Sequence, residues 1–238
     1  MMTLSFLVTC ALAQFQGHPL GYEAGPVDPW GTGELGIKVR AEVTRIRKDS
    51  KSTELYISAL LGRNEKKIEV VTISKTDKSI MTRTRDVAGS YHIEPEQVLE
   101  TKTGEEKIAV AGKTLDCKVT TVKFKVLGSD DQETLKVWQS AQVPGGVARY
   151  EKLRPYDPVD ADKKLSGEVT RWDETLSVGD QKVTCCVFTS RGWGGVKVEA
   201  WHCDTLPGKV ARIVTQRGDE REEWSVLSTA PTELPKRK

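Results

Sequence analysis

The sequence predicts a mainly β fold with little helix: a curved antiparallel sheet, a half-barrel or a sandwich that contains an internal duplication. Short runs of alternating apolar and polar residues recur along the 238-residue chain. Turn-forming residues separate these runs at intervals of roughly 8 to 12 residues, a spacing typical of all-β domains. The connections are too short for the crossovers that parallel strands require, so the strands are expected to be antiparallel.

The duplication pairs Val110 to Arg149 with Val178 to Arg212. The two cysteines that match are 68 residues apart and the two tryptophans are 63 apart, so only the loop between them differs in length. The first copy contains Val110, Cys117, Val119, Trp138, Pro144, Gly145, Val147 and Arg149, and the second contains Val178, Cys185, Val187, Trp201, Pro207, Gly208, Val210 and Arg212.

The N-terminal region is expected to be a leader followed by an exposed lead-in. Residues 1–13 are mainly apolar and end in Ala11-Leu12-Ala13, which predicts a secretory signal peptide and an exported, periplasmic or extracellular protein. No Lys or Arg precedes the apolar run, so a buried N-terminal segment is the alternative, and a lipid anchor on Cys10 is less favoured. Residues 14–36 are rich in Gly and Pro, which excludes a regular element.

The remaining residues predict one β-rich domain over residues 37–230, with repeated units at about 107–153 and 168–216, and a basic tail over residues 231–238. Residues 154–164 carry two prolines and are expected to link the units. The only helix signal is a single turn that begins at Pro95. The predicted strands are 37–43, 55–61, 68–73, 80–85, 107–110, 115–126, 134–140, 147–153, 168–178, 182–190, 196–203, 209–216 and 221–227.

Charge and hydropathy restrict the partners. The 36 basic and 34 acidic residues leave a net charge of +2, and no concentrated basic surface favours nucleic acid as a partner. No stretch after the leader has the roughly 18 apolar residues that a membrane-spanning helix needs.

The most distinctive motif is a strand that contains a tryptophan and ends at a Pro-Gly break. Trp138 and Trp201 each precede a Pro-Gly break, and Arg149 and Arg212 follow at matched places. A tryptophan supplies a large apolar anchor with one donor, and the arginines could hold an anionic group on one rim. These four residues are the candidate ligand-binding residues. In the plainer interpretation the breaks end two strands, the tryptophans are core residues and each arginine pairs with a neighbouring acid.

This strand pair, in which a Trp precedes a Pro-Gly break and an Arg follows it, resembles the half-barrel superfamily of periplasmic lipoprotein carriers and related exported bacterial domains of unknown function. The resemblance covers roughly Val110 to Arg212. In that superfamily a strongly curved antiparallel sheet wraps around an apolar cavity that can hold acyl chains. The resemblance therefore implies a lipid or another apolar molecule as the partner.

Both faces of the predicted sheet are partly apolar. Trp138 falls on the face of Cys117 and Val119, and Trp201 on the face of Cys185 and Val187. A second layer of the same domain or a ligand must cover each face, because a large exposed apolar face favours association. Two packed layers is the plainer alternative. The opposite face carries Val122, Phe124, Leu135 and Val137 in the first copy, and Cys186, Phe188, Val196, Val198 and Ala200 in the second.

Four cysteines remain if the leader is removed, and an even count in an exported protein suits disulfides. A loop centred on Gly194 places Cys185 opposite Cys203 within reach of a bridge. A second bridge between Cys117 and Cys186 is a speculative addition, and in a reducing compartment all four are expected to be packed thiols. Zinc ligation is disfavoured because Cys185 and Cys186 point to opposite faces. No metal and no cofactor are predicted.

Nothing in the sequence forms a catalytic signature. The three histidines lie in no nucleophile motif, and no glycine loop is built to hold phosphate. The sequence predicts an exported, non-enzymatic β-domain that binds a ligand or associates with the cell envelope, with a lipid, another apolar ligand or an envelope protein as its partner. The alternative is a structural or protein-interaction module without a small-molecule ligand, and a hydrolase is a distant third.

Overall fold

The computed structural model describes residues 37–48, 50–63, 67–75, 78, 80–86, 95–126, 128–153, 165–191, 196–206 and 209–231. The predicted leader, lead-in and 154–164 linker lie outside these residues, as do residues 232–238 of the tail. Within them the chain forms thirteen strands and one 3-10 turn, Pro95–Gln97, at the predicted place. The described part of the chain has no helix with the length and apolar character to cross a membrane.

The first four strands are called the wing: β1 (Ile37–Arg47), β2 (Ser50–Arg63), β3 (Lys67–Ser74) and β4 (Ile80–Asp86). The remaining nine follow the 3-10 turn. They are β5 (Val98–Val110), β6 (Lys113–Lys125), β7 (Gln132–Gln139), β8 (Val147–Leu153), β9 (Leu165–Val178), β10 (Gln181–Arg191), β11 (Lys197–His202), β12 (Val210–Arg217) and β13 (Glu220–Pro231).

All thirteen strands belong to one antiparallel sheet, which confirms the predicted fold class. The order is β4-β3-β2-β1-β13-β12-β11-β10-β9-β8-β7-β6-β5. The wing runs outward from β1 to one edge of the sheet. The chain resumes at the opposite edge with β5 and returns strand by strand until β13 pairs with β1. The two halves of the chain therefore meet at the centre of the sheet.

The duplication corresponds to β5–β8 and β9–β12, called the first and second copies. Trp138 pairs with Arg149, and a register shift follows at the next residue. Trp201 pairs with Arg212, and the same shift follows. The breaks also match: Ser140 N–H donates to the carbonyl of Gly146 over 3.0 Å, and Cys203 N–H donates to that of Lys209 over 2.9 Å. The repeated sequence therefore specifies a repeated irregularity as well as repeated strands.

The long strand in each copy changes its buried face midway. Its first half buries side chains on the face that carries the copy's tryptophan, and its second half buries side chains on the opposite face. Side chains alternate along a strand, so a change of buried face means that one face is covered near the start of the strand and the opposite face near its end. The residues are Leu115, Cys117 and Val119 then Thr120, Val122 and Phe124 in β6, and Val183, Cys185 and Val187 then Cys186, Phe188 and Ser190 in β10.

The sheet is curved, and the curvature brings distant strands into contact. β5 contacts β9, and β9 contacts β13, although each pair is four places apart in the sheet. Four strand spacings in a flat sheet would separate them by ~19 Å. Trp172 on β9 donates its indole N–H to the carbonyl of Val110 over 3.1 Å, and Lys113 pairs with Asp173 over 3.1 Å. Each hairpin turn therefore bends over the strand that begins the next unit.

The first strand of the first copy is longer than predicted. β5 begins at Val98 rather than at 107, and its first nine residues carry charges and Gly104 instead of alternating apolar residues. β5 is an edge strand whose side chains are mostly exposed until Ile108. An edge strand needs only one hydrogen-bonded neighbour, and charged side chains there discourage further pairing.

Candidate functional site

Trp138 is fixed by polar groups at the edge of its ring. The side chain is 5% exposed. Its indole N–H donates to Glu106 on β5 over 2.7 Å, and Lys136 lies 4.4 Å from the ring centroid. Lys136 also donates to Glu106 over 2.9 Å. The Lys136 ammonium and the indole N–H together hold the pKa of Glu106 below its ordinary value.

Arg149 covers the same ring and pairs with an acid of the second copy. Its guanidinium carbon lies 5.9 Å from the Trp138 centroid. Two guanidinium nitrogens donate to one carboxylate oxygen of Glu168 on β9, over 3.0 and 2.7 Å. Trp138, Glu106, Lys136, Arg149 and Glu168 form what is called the first station.

The second copy repeats the tryptophan and the arginine with different support. Trp201 is also 5% exposed, and Arg212 lies 4.8 Å from its centroid. Arg212 donates to Glu223 on β13 over 2.8 Å, and Arg171 lies 5.6 Å from the same ring. The indole N–H of Trp201 is buried and has no partner among the described residues. Trp201, Arg212, Glu223 and Arg171 form the second station.

The second copy has an acid at the place that Glu106 occupies in the first copy. Glu106 is the cross-strand neighbour of Cys117, and Glu174 is that of Cys185. Glu174 therefore lies where an acid could accept from Trp201, yet it pairs with Arg171 at 3.5 Å. The two stations therefore differ in the carboxylate on the indole N–H, since each ring has two cations near it.

The structure thus places each predicted ligand-binding residue in one of two matched stations. Both arginines pair with neighbouring acids, which is the plainer of the two arrangements expected from the sequence. Both rings are buried beneath cations, so a ligand could reach either indole only if a guanidinium group moved. A ligand-binding role for these four residues remains a prediction.

Cys185 and Cys203 lie side by side in the core of the second copy. β10 and β11 pair in the predicted register, with Cys186 opposite His202 and Val187 opposite Trp201, so the next step of the ladder brings Cys185 opposite Cys203. Both are buried free thiols. The Cys185 thiol donates to the Cys203 sulfur, which raises the pKa of Cys185 and lowers that of Cys203.

The other two cysteines have separate surroundings. Cys186 points to the opposite face from Cys185, as alternation predicted, and its thiol lies 3.9 Å from the carbonyl of Pro144. Burial raises the pKa of Cys186 to about 12. Cys117 is on β6, four places from β10 in the sheet, and its pKa is also raised by burial. Both are free thiols in the structure, and a bridge between them remains a prediction.

His202 is buried where the two copies meet. A Cβ added to Gly145, in the break of the first copy, would lie 3.1 Å from its Nδ1 atom, and Phe188 meets the imidazole edge to face at 6.1 Å. Nδ1 has no partner among the described residues. Burial lowers the pKa of His202 to about 4, against the opposing effects of the Asp204 carboxylate and a hydrogen bond to the backbone of Lys209. The imidazole is therefore neutral near pH 7.

An apolar row on the wing was missed by the sequence reasoning. Arg40 pairs with Ile57, Ile57 with Ile73, and Ile73 with Ile80, so four strands contribute to one row on one face. Ile57 and Ile73 are half-buried, and Ile80 is 70% exposed. Leu55 and Val71 flank the row on the same face and are also half-buried. Arg40, Leu55, Ile57, Val71, Ile73 and Ile80 are called the wing face.

The wing face is opposite to the face that β1 buries. Val39, Ala41 and Val43 alternate with Arg40 and are buried, and Val39 belongs to the same core cluster as Trp201. The alternation in each strand was visible in the sequence. The sequence did not show the register between β1 and β2. This register sets Glu54 opposite Val43, so the apolar residues of β2 lie on the face opposite to Val43.

A shallow pocket between β1, β12 and β13 collects arginines, among them Arg45 and Arg47. Its charges are largely satisfied within the protein. Arg45 donates to Glu222 over 2.8 Å and pairs with Glu54 at 3.0 Å. Desolvation raises the pKa of Glu222, and Arg45 opposes that effect. This pocket is therefore a weaker candidate for an anion site than its composition suggests.

No protein-family model matches the chain, and no curated protein matches it in sequence. Solved structures resemble it at low identity. They include a domain described as an outer membrane lipoprotein-sorting protein from Vibrio parahaemolyticus, with 11% identity, 84% of this chain and 87% of that chain covered, and a TM-score of 0.37.

Two further structures stand at the same level. A LolA superfamily protein from Nitrosomonas europaea has 8% identity, with 97% of this chain and 94% of that chain covered and a TM-score of 0.36. A DUF1329 family protein from Desulfovibrio piger has 9% identity, with 82% and 85% covered and a TM-score of 0.36. At this level of identity and TM-score, the similarity assigns neither a superfamily nor a ligand to this chain.

Proposed function

We propose that this chain is an exported, non-enzymatic binding module of the cell envelope that holds an amphipathic lipid against the wing face. The observation that supports the proposal is the row of one arginine and three isoleucines across β1 to β4. A continuous apolar row that ends at a cation suits a molecule with an acyl chain and an acidic head group.

The energetics favour an apolar occupant. Complete burial of an exposed isoleucine side chain contributes about 1.5–3 kcal/mol, and Ile80 is 70% exposed. A contiguous apolar patch of this kind on a protein surface commonly marks an interaction site. Arg40 is exposed at the inner end of the row, where its guanidinium group can pair with a carboxylate or phosphate.

The two stations would have a supporting role in this function. Each arginine ties its tryptophan to an acid on the following strand or unit, Arg149 to Glu168 and Arg212 to Glu223. These links span β8 to β9 and β12 to β13. They would keep the sheet curved while the wing face exchanges its ligand.

Native mass spectrometry of the chain purified from its host tests the proposal, and we expect lipid to co-purify. With delipidated protein and palmitate as the probe, Ile80→Glu should weaken binding on the order of tenfold, because a loss of about 1.4 kcal/mol is one decade in Kd. Leu99→Glu is the matched control: Leu99 is 50% exposed on β5, the opposite edge strand.

Three outcomes would contradict the proposal. These are an apo mass from the host together with no gain in melting temperature on adding lipids, equal losses for the two variants, or no loss for Ile80→Glu. The first would favour the structural or protein-interaction module. Lipid could also raise the melting temperature in a way that Arg149→Gln and Arg212→Gln abolish but Ile80→Glu does not. That result would indicate that the ligand binds at the tryptophan stations.

A further inference from the structure

The second copy contains a feature that its counterpart lacks. Cys185 is matched by Cys117 in the first copy, whereas Cys203 is matched by Ser140. Lys118 pairs with Gln139, so the next step of that ladder brings Cys117 opposite Ser140. The same position in the fold therefore holds two thiols in one copy, and a thiol and a hydroxyl in the other.

We propose that Cys185 and Cys203 are an oxidation site that closes into an intramolecular disulfide. Directly opposed residues on antiparallel strands have Cα atoms about 4.5–5.5 Å apart, within the span that disulfides bridge. Val187 and Trp201, two pairs further along the ladder, have side chains on the same face and in the same core cluster as both cysteines. The two sulfurs therefore approach each other on one side of the sheet.

Cys203 is the nucleophile of the pair. Its sulfur accepts from the Cys185 thiol, the backbone N–H of Leu206 and the hydroxyl of Thr205, and these donors favour the thiolate. Cys186 is next in sequence but points to the opposite face, with a pKa raised to about 12. Cys186 therefore does not compete for the bridge.

The oxidant is a disulfide such as glutathione disulfide or a disulfide-bearing oxidoreductase. The Cys203 thiolate attacks one sulfur of the oxidant, forms a mixed disulfide and releases the other sulfur as a thiolate. Cys185 loses its proton to solvent and attacks the Cys203 sulfur, which forms the intramolecular bond and releases the second oxidant thiolate. The two cysteines are oxidised by two electrons, and the oxidant is reduced to two thiols.

Both cysteines are buried in the folded protein, which limits when an oxidant can reach them. Cys185 and Cys203 are 2% and 0% exposed and pack with Leu206 of the break. An oxidant can reach them while the chain folds, before this packing has formed. Once formed, the bridge would be protected from reductants by the same packing.

The test compares the full chain refolded with glutathione disulfide to the chain refolded with dithiothreitol. After denaturation and alkylation, the oxidised protein should have two fewer reactive thiols. Peptide mapping should link the peptide that contains Cys185 to the one that contains Cys203, and this needs no variant. Cys186→Ser should retain the link, and Cys185→Ser should lose it.

Ser140→Cys extends the test to the first copy. It places a thiol opposite Cys117, so oxidation should remove four reactive thiols instead of two. An unchanged number of thiols in the oxidised wild type, or a map that links a different pair, would overturn the proposal. Because the oxidant is supplied in solution, the result is independent of export and of lipid binding.

Discussion

The two copies have the same skeleton but are fixed by different means. In the first, Trp138 is anchored by a hydrogen bond to the exposed Glu106. In the second, the indole N–H of Trp201 has no partner among the described residues, and the ring belongs to the same core cluster as Cys185 and Cys203. The first copy therefore uses a polar anchor at its surface, and the second uses an apolar and sulfur-rich core.

The two copies also differ in their place in the sheet. The first copy ends the sheet at β5, so water reaches the edge of its tryptophan station. The second copy is enclosed between the first copy on one side and β13 with the wing on the other. The acid at the matching place is nevertheless similarly exposed in the two copies, 44% for Glu106 and 39% for Glu174. The copies therefore differ in the partner of that acid: Glu106 accepts from Trp138, whereas Glu174 pairs with Arg171.

The largest expected effect concerns His202, whose matched residue in the first copy is Gln139. Burial lowers the pKa of His202 to about 4, whereas the imidazole of an unfolded chain titrates near 6.5. The folded state therefore loses stability as the pH falls from about 6.5 towards 4, because only the unfolded state gains the proton. The loss amounts to about 3 kcal/mol at pH 4.

Urea titrations of the wild type and His202→Gln at several pH values measure this effect. The glutamine variant adopts the first copy's residue and should remove about that much of the acid dependence, whatever its stability at pH 7. The Asp204 carboxylate favours the protonated imidazole, so Asp204→Asn should lower the pKa of His202 further. Parallel stability curves for wild type and His202→Gln would show that the imidazole is not buried as described.

The sequence predicted the duplication, the antiparallel order and the register of the second copy because these depend on local pattern. Alternation and the Pro-Gly breaks determine where strands end, and the spacing of Cys185 and Cys203 determines the hairpin register. The tryptophan stations could be named as residue pairs for the same reason. The hydrogen bond that anchors Trp138 could not be predicted, because Glu106 lies on a strand two places away in the sheet.

The wing face was not predictable for a related reason. Its strands were recognised, but the face on which Ile57 and Ile73 fall relative to the core depends on how β1 pairs with both β2 and β13. The pairing of β1 with β13 joins residues about 180 positions apart, and no local signal specifies it. Sequence patterns therefore located each strand without showing which side the fold would cover.

A smaller effect distinguishes the hairpin turns that lead into the long strands. Ala111 has a φ of 45° and the matched Gly179 has a φ of 58°. Positive φ costs a residue with a Cβ about 1–2 kcal/mol. We therefore expect Ala111→Gly to stabilise the protein, and Gly179→Ala to destabilise it, by about 1 kcal/mol each. Chemical denaturation measures both, and effects of the same sign would contradict the equivalence of the two turns.

The smallest expected effect is a difference in melting temperature between Trp138→Phe and Trp201→Phe. Trp138→Phe removes the donor to Glu106, whereas Trp201→Phe removes a buried N–H that has no described partner. Deleting a satisfied donor loses a bond, and deleting an unsatisfied one relieves its desolvation. Both changes lose similar apolar area, so the melting temperature should fall by a few degrees more for Trp138→Phe.

Measurements in acid test the cause of this last difference. The pKa of Glu106 is held below its ordinary value, so its bond to Trp138 contributes fully above the unfolded pKa and is lost as the pH falls through the folded pKa. The gap between the two phenylalanine variants should therefore close in acid, and Glu106→Gln should reduce it at neutral pH. A gap that persists in acid and in the Glu106→Gln background would mean that ring packing, rather than the carboxylate, distinguishes the copies.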